Sequence, residues 1–120
     1  MDSLKGISAL TLWQRALSAT VQSDAPDLTA RQLAILLHVY LLPPPHTVRG
    51  LAAALHLSKP VITRALDRLA TLGLARRCKD EADKRNVLIQ RTVAGSVFLS
   101  DLAARIEAAG AALAQAEVTS

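Results

Sequence analysis

The chain has 120 residues, 51% of them apolar, a formal charge of +4 and one cysteine, Cys78. That length allows one domain with a real core. It leaves no intramolecular disulfide and no cysteine-rich zinc framework, and no apolar run reaches the length of a membrane span.

Leu4, Ile7, Leu10, Leu12, Ala16, Leu17 and Val21 predict a first amphipathic helix that ends before a turn at 23–27. Thr29 is placed to cap a second helix, Ala30–Leu42, so apolar on nearly every side that it is expected in the middle of the fold. Pro43, Pro44 and Pro45 stop it. Thr47 can cap a third helix, Val48–Leu55, with Leu51, Ala52 and Leu55 inward, and a tight turn centred on residues 56–58 follows. Ser58 caps the next helix, Pro60 suits its first turn, and Gly73 suits its end. Ile62, Ala65, Leu66 and Leu69 form one apolar stripe, which leaves Lys59, Thr63, Arg64, Asp67 and Arg68 outward. Two short helices joined so tightly make a helix-turn-helix.

Past Gly73 the pattern changes to strands at 74–79 and 87–92, joined by a polar tip at 80–86, which describes a wing. A last helix is expected from Val93 to about Ala116, with Gly95 and Gly110 as its weak points. The fold class is therefore mainly α with a small β-hairpin wing. It is expected as one domain, 1–120: an N-terminal helix in 1–24, a winged helix-turn-helix core in 28–92 and a C-terminal helix in 93–118.

The charge is uneven. Residues 59–91 hold nine Lys/Arg against four Asp/Glu, a local balance of +5, and the rest of the chain balances at −1. A helix with a dry back and a short-polar, arginine-bearing front is what the major groove of DNA accepts. Trp13, Tyr40 and Phe98 are the only aromatics, too few for the stacking platforms that single strands require.

Arg64 is the sharpest candidate for base readout, through bidentate contact with guanine; the bland reading is a solvated arginine or an ion pair with Asp67 or Asp101. Ser58 and Thr63 could touch phosphate or bases, although Ser58 serves equally as a cap, and Val61 could meet a thymine methyl. Arg85, at the wing tip, suits a narrow minor groove. Arg76, Arg77, Lys79 and Lys84 read as phosphate contacts, with Arg31 and Arg49 as weaker ones. His38, His46 and His56 match no metal-ligand spacing, and Cys78 reads as a half-buried inert thiol, so no metal and no cofactor are expected. No nucleophile–base arrangement emerges, which argues against an enzyme.

LAAALHLSKPVITRALDRLATLGLARR followed by DEADKRNVLIQRTVAG resembles the winged helix-turn-helix of the MarR (multiple antibiotic resistance regulator) family. The match rests on the ordered set Leu51-Ala52, Leu57-Ser58, Thr63-Arg64, Asp67-Arg68-Leu69 and Gly73-Leu74. Asp83-Lys84-Arg85 resembles the family's Asp-x-Arg wing signature, and Thr92 and Gly95 close the match, which covers roughly residues 28–98.

The resemblance implies a symmetric dimer on a pseudo-palindromic DNA site, with recognition helices in the major groove and wings in the minor groove. It places Ser58, Lys59, Pro60, Thr63 and Arg64 at the major groove, Arg85 at the wing tip, and Asp83 as the residue that holds the wing. Two departures stand out. Family members commonly carry a further C-terminal helix that helps build the dimer and a ligand pocket, so a small-molecule effector is not expected here. Arg91 stands where the family usually has an apolar residue, which suits a solvent-facing edge.

The expected function is that of a homodimeric, sequence-specific transcription regulator, cytoplasmic and nucleoid-associated, with double-stranded DNA as partner. Trp13, Leu17, Phe98, Leu102 and Ile106 are the candidates for the dimer interface. The alternative is a winged-helix protein–protein module with weak or no DNA binding.

Overall fold

Local chemistry starts and stops the helices of this computed structural model, which describes residues 2–119 and the side chains of residues 6–116. The helices are α1 (Asp2–Gln22), α2 (Ala30–Leu41), α3 (Val48–Leu55), α4 (Lys59–Thr71) and α5 (Val93–Thr119), with strands β1 (Ala75–Lys79) and β2 (Val87–Arg91). Met1, Ser120 and the side chain of Leu4, which figure in the sequence expectations, lie outside the described set.

The three N-caps act as expected. Thr29 Oγ1 accepts from Gln32 N–H while the Gln32 side chain accepts from Thr29 N–H, a reciprocal box at the start of α2. Thr47 Oγ1 accepts from Gly50 N–H at 2.9 Å and Ser58 Oγ from Val61 N–H at 3.4 Å. Gly73, at φ 74°, ends α4: its N–H reaches the Ala70 carbonyl and the Leu74 N–H reaches the Leu69 carbonyl, both at 2.9 Å. This Schellman arrangement satisfies two otherwise orphaned carbonyls. His56 ends α3 in the same left-handed region, at φ 54°, a conformation that glycine adopts more cheaply.

The described residues fall into two compact units: residues up to Asp27 together with those from Phe98 onward, and Leu28–Val97. In the second unit α2 packs on α4, α3 packs on α4 and β2, and β1 follows α4. Ile35, Leu36, Val39, Leu51, Ile62, Leu66, Leu69 and Ile89 are buried there, each contributing about 1.5–3 kcal/mol. The strands pair antiparallel, Ala75 opposite Arg91 through Lys79 opposite Val87. Two contacts extend the wing toward α3: a bridge from Thr47 to Leu88, and Ile89 N–H donating to the His46 carbonyl at 2.8 Å.

Three expectations need revision. α2 is buried at Ile35, Leu36 and Val39, but its last turn emerges: Leu41 is 73% exposed, and Leu42 lies just past the helix end. Gly95 is a requirement of packing, because a Cβ there would overlap the Tyr40 hydroxyl and the Leu74 carbonyl oxygen. Arg91 is no idle edge residue. Its Nε donates to the Val39 carbonyl at 2.9 Å and its Nη2 to the Leu42 carbonyl at 3.1 Å, capping the end of α2. Leu42 O also accepts from His46 Nε2 at 3.0 Å.

In the first unit Arg105 Nε donates to Thr20 Oγ1 at 2.9 Å. No helix among the described residues is long and apolar enough to cross a membrane.

Candidate nucleic-acid interface

The stripe on α4 decides what the helix can offer. Ile62, Ala65, Leu66 and Leu69 are buried, which turns Lys59, Pro60, Thr63, Arg64, Asp67 and Arg68 outward, all of them exposed. Val48, Arg49, Lys59, Thr63, Arg85 and Val87 line one cleft of about 460 Å³. The start of α3, one flank of α4 and the wing thus share a concave surface with three cations and no carboxylate in its lining. Such a surface concentrates positive potential where a phosphate backbone would enter.

The wing tip is organised before any ligand arrives. Arg85 donates through Nε to Asp83 Oδ1 and through Nη2 to Asp83 Oδ2, both at 3.0 Å, and its backbone N–H reaches Oδ1 at 3.1 Å. This planar fork leaves the Arg85 side chain 80% exposed. Its bond to Arg85, with a smaller contribution from Arg49, holds the Asp83 carboxyl below the usual carboxylate range. Asp83 raises the Arg85 guanidinium in turn. Asp80 Oδ1 accepts from the N–H groups of Ala82 and Asp83, which folds the approach to the tip.

The remaining basic residues are placed differently. Arg77 Nη1, expected at a phosphate, meets Asp67 Oδ1 at 2.6 Å and ties β1 to α4. That pair also occupies Asp67, one of the two partners that the bland reading gives Arg64; Arg64 makes no ion pair among the described residues and stays exposed. Arg76 donates to its cross-strand neighbour Gln90 at 2.6 Å. Arg68, Arg76 and Lys84 are exposed but outside the cleft. Ser58 Oγ is engaged as a cap while the residue stays exposed.

Sequence reasoning gave Arg49 low weight as a lining residue, and missed Val48 and Val87 in that role. Their position follows from the Thr47–Leu88 bridge, a pairing across 41 residues that no local pattern signals. The His38 and His46 rings meet edge to face, with centroids 5.7 Å apart. No cluster of three or more metal-ligating side chains occurs among the described residues. Of the residues expected at a dimer interface, Trp13 and Leu17 are 40% and 41% exposed and Ile106 is half-buried. Phe98 and Leu102 are already covered within the single chain.

The MarR family model matches residues 27–86, half of the chain. Among solved structures, a variant of S. aureus MepR is similar with a TM-score of 0.76 at 22% identity, covering 95% of this chain and 81% of that one. A second MepR variant, solved bound to an oligodeoxyribonucleotide, gives 0.72 at 23% identity, over 98% and 81% of the two chains. CouR from Rhodococcus jostii, solved bound to p-coumaroyl-CoA, gives 0.61 at 29% identity, over 90% and 71%. No curated protein matches in the sequence comparison.

Proposed function

The chain belongs to the MarR family, and from that premise we propose that it is a homodimeric regulator of transcription that binds a specific, pseudo-palindromic site in double-stranded DNA. The observation that carries this reading is the cleft in which Arg49, Lys59, Thr63 and Arg85 converge from α3, α4 and the wing. Ser58, Lys59, Pro60, Thr63 and Arg64 lie at the major groove. Arg85, presented by Asp83, enters the adjoining minor groove, and Arg68, Arg76 and Lys84 add contacts to the flanking backbone. The MepR variant bound to an oligodeoxyribonucleotide has the same fold and supports this use of it.

Residues 1–24 and 93–118 form the dimer, which sets the two recognition helices about one DNA turn, ~34 Å, apart. The exposed apolar residues Ile7, Leu10, Trp13, Leu17 and Val21 of α1 supply the surface for it. Selection from a random duplex library tests the proposal. Enriched sites should contain two inverted half-sites with centres about 10 base pairs apart, and Lys59→Ala with Thr63→Ala should abolish the enrichment while leaving the fold intact. Weak, salt-sensitive binding without enrichment of any sequence would overturn it.

A further inference from the structure

On the other flank of α4 a second cleft, of about 170 Å³, is lined by Thr29, Arg31, Gln32, Val61, Arg64 and Ala65. Two arginines from different helices therefore meet one small hollow. Neither forms an ion pair among the described residues, and no carboxylate lines the cleft. The cleft is smaller than the ~300 Å³ at which pockets for drug-sized ligands begin.

Its polar chemistry is one-sided. The acceptors it could offer, Thr29 Oγ1 and Gln32 Oε1, are taken by the reciprocal cap at 3.1 and 2.9 Å. Val61 and Ala65 supply apolar wall. What remains is donors, the Gln32 amide and two guanidinium groups, whose fork geometry suits phosphate oxygens. A guanine edge offers two acceptors, enough for one such fork, whereas the oxygens of one phosphate can be shared by both.

We propose that Arg31 and Arg64 close together on one backbone phosphate of bound duplex DNA, so that Arg64 fixes the depth and tilt of α4 instead of reading guanine. This rests on the DNA-binding reading above and reassigns the residue that the sequence favours for base recognition. Base discrimination then falls to the flank that carries Lys59 and Thr63. Arg31, outside the helix-turn-helix, becomes part of the interface.

The test measures the affinity of the full chain for the duplex enriched by selection and for a random-sequence duplex, across about 50 to 200 mM NaCl. Arg31→Gln, Arg64→Gln and the double variant are compared with the unmodified protein. Each single variant should bind both duplexes about tenfold more weakly, with the preference for the enriched site unchanged. Neither single variant should flatten the salt slope much, because the remaining arginine still neutralises the phosphate, whereas the double variant should flatten it by ~0.9, the share of one phosphate.

The assignment fails if Arg31→Gln binds like the unmodified protein while Arg64→Gln loses discrimination at one base pair, a result that leaves DNA binding itself standing. It fails equally if each single variant flattens the slope by ~0.9 and the double variant by twice that, because each arginine would then meet a phosphate of its own. If the unmodified protein binds neither duplex, the DNA reading and this assignment fall together.

Discussion

At the scale of single residues, the wing tip couples charge to geometry. Asp83 is held below the usual carboxylate range by Arg85, so its ionised form supports the wing at every pH above that range. The support disappears only as pH falls through the depressed native value. The wing should keep its form from neutrality through mild acid, and an NMR titration should place the Asp83 midpoint below that of an ordinary aspartate. Asp83→Asn frees the Arg85 side chain, which must then be ordered on binding; DNA affinity should drop about fivefold, read by fluorescence anisotropy. Arg77 and Asp67 make a different prediction. Both are exposed, at 38% and 54%, so Arg77→Ala should change folding stability by less than about 1 kcal/mol. It leaves the Asp67 carboxylate bare on the helix proposed to face DNA, and binding should weaken. Adding Asp67→Asn should restore most of that loss, whereas a direct phosphate contact from Arg77 would not be rescued. The outward set on α4 was legible from spacing alone. The partners of Arg77 and Arg91 were not, because Asp67 lies across a turn and Val39 lies 52 residues away.

At the scale of elements, what could be read from sequence is what local physics decides. Thr29, Thr47, Ser58 and Gly73 each satisfy backbone groups within four residues of themselves, so their positions announce the helix ends. The turn at His56 carries no such signal, because a histidine at positive φ is held there by its surroundings. The emergence of Leu41 was equally hidden: apolar periodicity cannot tell that the last turn of α2 passes beyond its packing partners. Gly95 shows the same limit more sharply. Sequence reasoning reads it as a weak point of α5, yet its lack of a side chain admits the Tyr40 hydroxyl, which donates to the Leu74 carbonyl at 2.8 Å and accepts from Thr92 N–H at 2.8 Å. That node ties α2, the end of α4 and the base of the wing to the first turn of α5. Gly95→Ala improves helix propensity by about 1 kcal/mol but drives a methyl into a hydroxyl and a backbone oxygen. Packing should win, with a net loss of about 1–3 kcal/mol in urea unfolding, and Tyr40→Phe in the same chain should recover part of it.

At the scale of the whole molecule, α1 poses the remaining energetic question. Ile7, Leu10, Trp13, Leu17 and Val21 are 40–71% exposed and recur every three or four residues, which puts them on one continuous stripe. Large apolar side chains scattered singly need no explanation, but a contiguous row of five on one helix marks an interaction surface. A second copy of the chain, the occupant proposed above, would place the same stripe on both partners and so cover it in an isologous interface. Leu17, near the middle of the row and 41% exposed, is the position to challenge. Leu17→Asp adds a charge that a paired interface would have to desolvate while costing little in the isolated chain. Sedimentation equilibrium should show the unmodified protein at twice the mass of one chain, and the variant at the mass of one. Its melting temperature should lose the dependence on protein concentration that a dimer imposes. Because two half-sites would no longer be bound by one particle, affinity for the full site should fall toward that for a half-site. An unmodified protein that sediments as a single chain at tens of micromolar would dismiss the paired arrangement, leaving each winged helix to act alone on DNA.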